Sequence, residues 1–258
     1  MSKKNDRRKE IVKLLQMNNG ATIKDLSGIL DVSEMTIRRD LQILESEGVV
    51  NLVHGAAIYN PQSLNKRLKE YSLVTAKNQN NDAKNRIGKY AASLIDENDY
   101  IIIDTGSTGE KIVPNLPINK KFTLVCYTSN VMANAITKPN IKLIMGGGEY
   151  KPETMLFLSN ETTKMLSRLR ATKVFVSASG IDKKFGVTCM NNYELDYKNV
   201  IKSIGQEIIL VVDSSKFGKV DNAYFGEIDE FDLIITDKDI PKEWEELILK
   251  KEVKLVKV

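Results

Sequence analysis

Apolar positions in the first sixty residues recur at helical steps, in three short runs separated by tight breaks. In "RRKEIVKLLQM" (7–17), Ile11, Leu14 and Leu15 share one face, and Asn18, Asn19 and Gly20 end the run. "TIKD" at 22–25 opens a second helix in the manner of a capping box, with Leu26, Ile29 and Leu30 as its expected buried face. Only Asp31 and Val32 separate that helix from Ser33, a strong N-cap residue. The third helix carries Ile37, Leu41 and Leu44 on one side, and Gly48 stops it. "VVNLVHGAAIY" (49–59) is β-rich with a glycine near its middle, the pattern of a small hairpin. Two helices across so short a turn predict a helix-turn-helix, and the hairpin predicts a wing.

The pattern changes along the rest of the chain. Residues 59–82 hold one proline, many amides and no long apolar face, so they read as a linker with at most a short helix around 64–71. "AKNRIGKYAASLI" then predicts a helix with Ile87, Ala91, Leu94 and Ile95 inward. Beyond it, helical stretches alternate with apolar runs: "YIIID" (100–104), "FTLVCY" (122–127), "IKLIM" (141–145), "KVFVS" (173–177), "EIILVVD" (207–213), "DLIITD" (232–237) and a terminal "KLVKV". Continuous rather than alternating apolar runs belong to a sheet covered on both faces, so an α/β domain with a mostly parallel sheet is predicted. Pro114 keeps the helix after Thr108 short. The expected organisation is a winged helix-turn-helix domain over 1–58, a linker over 59–82 and an α/β effector domain over 83–258.

Candidate chemistry falls in two places. On the third helix, Ser33, Glu34, Met35, Thr36, Arg38 and Arg39 lie off the apolar stripe, and His54 lies in the wing. Hydroxyls and helix-end N–H groups hold phosphates, and an arginine fork reaches a guanine edge, so double-stranded DNA is the expected partner. The plainer alternative is an ordinary three-helix packing unit. Net charge does not decide between them: the chain carries +4 overall, with nine basic and eight acidic residues in 1–57. Placement says more, because Lys3 to Lys9 cluster at the start of the first helix. A single recognition helix offers too little contact for genomic discrimination, so a homo-oligomer of at least two chains is expected.

The second place is the set of strand ends. Asp104 runs into Gly106, Ser107 and Thr108; other ends carry Thr128 and Ser129, Gly147 and Gly148, Ser179 and Gly180, and Asp213 with Lys216. In a parallel sheet these ends lie along one edge, where ligands bind, and small or hydroxyl residues let backbone N–H groups close on an anion. Glycine and serine at strand-to-helix turns also occur for conformational reasons alone. Cys126 and Cys189 are far apart without metal-ligand spacing, and His54 is the single histidine. No metal site, cofactor or Ser-His-Asp triad is therefore expected. No apolar run reaches membrane length and no signal-peptide pattern opens the chain, so a soluble, cytoplasmic protein without a membrane partner is expected.

"VSEMTIRRDL", followed by "EGVV" and "HGAA", resembles the N-terminus of the DeoR family of bacterial transcriptional regulators. "DTGST" resembles that family's Asp-x-Gly-Thr-Thr motif and the phosphate loop of ribose-5-phosphate isomerase, and "SASGID", "GVTC", "YELDYK" and "VDSSKFGKV" resemble further family blocks. The resemblance spans 5–58 and 83–258. It implies an isomerase-like effector domain with a pocket for a phosphorylated sugar, in a repressor of sugar or nucleoside catabolism genes rather than an enzyme. On that reading Lys198 or Lys216 faces the phosphate, and Glu194 or Asp104 accepts sugar hydroxyls. Glu194 and Lys198, four apart on a predicted helix, can instead simply pair. "VCYTSN", "GGGEY", "GVTCMNNYEL" and "DSSKFGKV" are most similar to family members that serve deoxyribonucleosides, which makes deoxyribose 5-phosphate a candidate effector. The wing departs from the family, with Leu52 where an arginine is usual and Ala56 where a glycine is usual. An isomerase-like enzyme carrying a DNA-binding module, and a constitutive DNA binder whose larger domain only oligomerises, are the alternatives.

Overall fold

The computed structural model describes residues 3–18, 20–46, 49–53, 56–59, 73 and 79–258, and the chain divides into two compact units, Met1–Glu70 and Tyr71–Val258. The first holds α1 (Lys3–Asn18), α2 (Ile23–Leu30) and α3 (Glu34–Ser46). Thr22 and Asp25 start α2 as a true capping box: Thr22 Oγ1 accepts the Asp25 N–H at 3.1 Å, and the Asp25 carboxylate accepts the Thr22 N–H at 3.2 Å. Asp31, left-handed at φ 48°, closes α2, and Ser33 opens α3 by accepting the Thr36 N–H at 3.3 Å. Three short strands, β1 (Ala21–Thr22), β2 (Val50–Val53) and β3 (Ala56–Tyr59), form an antiparallel sheet in the order β1-β3-β2. Ile11, Leu15, Leu26, Ile37 and Leu41 are fully buried beneath it.

One apolar assignment fails here. Ile29 is 59% exposed, not part of the α2 core face. At about 100° per residue, Ile23, Leu26 and Leu30 cluster on one side and Ile29 lies roughly 90° off their mean direction. Gly48, His54 and the expected helix at 64–71 lie outside the described residues.

The second unit opens with α4 (Asn81–Ser93), then β4 (Tyr100–Ile103), a 3-10 turn (Gly109–Asn115), β5 (Phe122–Cys126), α5 (Ser129–Ala135) and β6 (Ile141–Met145). A hairpin of β7 (Glu149–Lys151) and β8 (Leu156–Leu158), then α6 (Asn160–Ser167), leads to β9 (Ala171–Val176). After β10 (Gly180–Asp182) and β11 (Gly186–Cys189) come α7 (Leu195–Ile204), β12 (Gly205–Val211), β13 (Ala223–Gly226), β14 (Leu233–Thr236), α8 (Lys242–Lys250) and β15 (Lys254–Lys257). Seven strands form one parallel sheet in the order β15-β14-β12-β9-β4-β5-β6. Neighbouring residues feed opposite cores: Ile102, Val174, Leu210 and Ile234 pack on one face, and Ile101, Phe175, Ile209 and Ile235 on the other. Two covered faces are why these strands read as unbroken apolar runs.

From β4 the chain winds one way to β5 and β6, then returns to β9 on the other flank of β4 and winds outward to β15. The strand order therefore reverses between β4 and β9, the place where open α/β sheets bind ligands. A second, antiparallel sheet (β10-β11-β13) caps this end. The second unit also begins earlier than residue 83. Leu73 is buried and its N–H donates to the Glu153 carbonyl, and Asn80 bonds to Asp213. Among the described residues no helix is long and apolar enough to cross a membrane.

Candidate functional site

A narrow polar recess sits at the β4/β9 reversal. The loop after β4 supplies Thr105, Gly106, Ser107 and Thr108, and the end of β9 supplies Ser177, Ala178 and Ser179. Cys189, Met190, Glu194 and Lys198 close one side, and Lys216 reaches in from the turn after β12. Gly106 is required here: its φ is +149°, and a Cβ would lie 2.4 Å from that of Ser177. This close approach flattens the loop against β9. Among the described residues, the N–H groups of Gly106, Ser107 and Thr108 donate to no protein acceptor, whereas Glu110 and Lys111 behind them bond back to the loop carbonyls. The Ser177 hydroxyl is buried without a partner beside them. The following helix is a seven-residue 3-10 segment containing Pro114, so the loop's own N–H groups, not a long helix dipole, are what it offers an anion.

Beneath the recess lies a buried charge cluster. Lys198 Nζ donates to Asp104 Oδ2 at 2.6 Å and to the Ser177 carbonyl at 2.8 Å, and stands 4.0 Å from Glu194. Tyr127 donates to the other Asp104 oxygen at 2.7 Å. Burial works against the Lys198 charge, but Asp104 and Glu194 outweigh it and hold the ammonium above its ordinary pKa. Burial pushes the Glu194 carboxyl up, with Lys198 and Asn191 opposing. Lys216 is different: burial lowers its pKa, and among the described residues it makes no ion pair. Cys189 is a free, buried thiol pushed up to about 12 by burial.

Of the residues expected at the strand ends, the recess gathers Gly106, Ser107, Thr108, Ser179, Glu194, Lys198 and Lys216. Asp104 lies under it with both oxygens engaged, so it positions Lys198 instead of offering an acceptor to a ligand. Thr128, Ser129, Gly147, Gly148, Gly180 and Asp213 do not line it. The ends of β5 and β6 lie on one side of the reversal, away from it. There the Gly147 carbonyl accepts hydroxyls from Ser159 and Thr162, and Gly148, at φ +142°, turns the chain into the β7–β8 hairpin beneath the Leu158 carbonyl. Gly180 is in β10. Asp213 accepts from Asn80 and Ser215 and pairs with the buried Lys84 at 3.7 Å. Reading the sequence for site residues missed Thr105, Ser177, Met190, Cys189 and Tyr127. All five lie in the quoted blocks, but only sheet order shows which blocks meet.

In the first unit, Glu34, Met35, Arg38 and Arg39 are exposed on α3, with Met35 60% exposed, and Thr36 is half-buried against the Ser33 hydroxyl at 2.9 Å. No carboxylate among the described residues holds either guanidinium. Part of the N-terminal basic cluster has another role. Arg7 and Arg8 reach Asp40 on the rear of α3 at 2.6 and 3.4 Å, so these two fix the helix against α1. Leu52 is half-buried and packs on the small core, so this wing position serves packing.

A helix-turn-helix unit joined to a doubly wound α/β unit with a polar recess at its strand reversal defines a DNA-binding transcriptional regulator. The chain belongs to the DeoR family: the DeoR-like helix-turn-helix domain matches residues 7–63 and the DeoR C terminal sensor domain matches residues 79–238. The deoxyribose operon repressor of Escherichia coli (strain K12) is 31% identical over 236 residues, covering 92% of this chain and 91% of that one. The regulator GolR of Listeria innocua is 30% identical over 241 residues, with 92% of each chain covered. The lactose phosphotransferase system repressor of Lactococcus lactis subsp. lactis is 32% identical over 250 residues, covering 95% and 96%. Among solved structures, ribose 5-phosphate isomerase A of Methanocaldococcus jannaschii is similar at 17% identity and a TM-score of 0.39, over 54% of this chain and 55% of that one. That likeness is too loose to bear on function.

Proposed function

We propose that the second unit holds a phosphorylated sugar in the recess and that its occupancy weakens operator binding by the first, so that the chain is a repressor released by its effector. The carrying observation is the Gly106–Thr108 loop, whose unengaged N–H groups and hydroxyls share one small volume with the unpaired Lys216. Glu194 and Lys198 stand at the other side of that volume, where sugar hydroxyls meet an acceptor and a donor. Deoxyribose 5-phosphate is the candidate effector, supported by the relative named for the deoxyribose operon. Asp104 argues for sensing over isomerisation: a base must approach a carbon-bound proton, yet both of its oxygens are bonded. The DNA partner is a double-stranded operator, bound by a homo-oligomer, and the setting is cytoplasmic.

A thermal-shift titration of the full chain tests the recess. A phosphorylated pentose at a hundred times its Kd stabilises by about 2.7 kcal/mol, whereas the unphosphorylated sugar leaves the donors unpaired and shifts little. Equal shifts from both, or turnover of ribose 5-phosphate or deoxyribose 5-phosphate, contradict the reading.

A further inference from the structure

The start of the second unit is tied to both walls of the recess, each time one step behind a lining residue. On one wall, the Thr105 hydroxyl donates to the Thr154 carbonyl at 2.9 Å, and the adjoining Glu153 carbonyl accepts the Leu73 N–H at 2.9 Å. Thr105, Thr154 and the Leu73 side chain are all buried. The Thr154 hydroxyl also meets Tyr193 at 3.3 Å, next in sequence to Glu194. On the other wall, Lys216 shares a 3-10 turn with Asp213, its N-cap residue. Asp213 accepts from Asn80 Nδ2 at 2.8 Å. Asn80, left-handed at φ 53°, gives its amide to Asp213 and leaves α4 without a side-chain cap.

We propose that Leu73 and Asn80 together read the width of the recess, and that the distance between them couples it to operator binding. The proposal rests on the recess being the effector site. A ligand shifts an equilibrium only through contacts that differ between two states. A phosphate held between the 106–108 loop and Lys216 fixes the separation of the two walls. A segment anchored to one wall would be insensitive to that separation. Leu73 follows the Thr105–Thr154 side and Asn80 follows the Asp213–Lys216 side, so the distance between these two residues changes with that separation.

The test uses the full chain, an operator selected from random duplexes, and deoxyribose 5-phosphate and ribose 5-phosphate as probes. Asn80→Gly keeps the left-handed backbone and removes only the amide. It should leave probe affinity and probe-free operator affinity within about threefold, while cutting the probe-induced change in operator affinity from about a hundredfold to below about tenfold. An undiminished change overturns the relay. A second measurement needs no ligand: Thr105→Val should speed hydrogen exchange of the Leu73 amide by about tenfold or more, since Thr154 loses its tie to the recess wall and keeps only that to Tyr193. Unchanged exchange at Leu73 also overturns it. If neither probe alters wild-type operator binding yet Thr105→Val still loosens Leu73, the tie stands and the choice of effector fails.

Discussion

At the scale of single residues, the buried ions decide most. Asp104 and Lys198 are each 1% exposed at the side chain and bond at 2.6 Å, with Tyr127 and Ser177 satisfying the remaining positions. Removing one partner leaves a buried charge, so Asp104→Ala should lower unfolding free energy by about 3–5 kcal/mol in urea titrations. A loss below about 1 kcal/mol would mean that water reaches the cluster. Lys84 gives a pH signature. Burial is the leading cause of its lowered pKa, about 8 against an ordinary 10.5, with Asp213 opposing. The folded state thus gives up this proton first, and the unfolded state binds more protons between those values. Stability from this group therefore rises as pH increases from about 8 to about 10.5. Relative to Lys84→Met, the wild type should gain up to about 3 kcal/mol across that window, and a flat difference contradicts the assignment.

At the scale of elements, α3 carries the DNA claim. Arg38→Ala or Arg39→Ala should cost about 1–3 kcal/mol of operator affinity if the side chain reads a base, and should flatten sequence preference in a competition assay. A residue that only holds phosphate would instead weaken all duplexes alike and reduce the salt slope by about 0.9. Helices α1 to α4 and the seven parallel strands were legible as periodic or apolar runs, as "YIIID" and "EIILVVD" show. The β7–β8 hairpin and the β10-β11-β13 sheet were not, since strands such as EYK and GID carry no apolar run. The strand-end chemistry was legible as a set, but not which members meet. That depends on sheet order: β4 next to β9 draws Ser107 and Ser179 together and leaves Thr128 and Gly147 aside. The pairing of Arg7 and Arg8 with Asp40, 33 and 32 positions away, likewise leaves no local trace.

At the scale of the whole molecule, one chain supplies one recognition helix, so specific binding calls for at least two chains on related half-sites. Sedimentation at micromolar concentration should show a dimer or larger species, and a monomer both with and without DNA contradicts that expectation. The central claim is the link between recess and operator. It is tested most directly by measuring the affinity of the full chain for a selected operator, at fixed salt, with and without deoxyribose 5-phosphate, in the wild type and in Ser107→Asp. The account predicts that the probe weakens wild-type binding about a hundredfold, a coupling of about 2.7 kcal/mol. Ser107→Asp, with a fixed negative charge where the phosphate sits, should bind the operator as tightly but ignore the probe. A variant that responds as the wild type does would contradict the account, as would a wild type that responds equally to unphosphorylated deoxyribose.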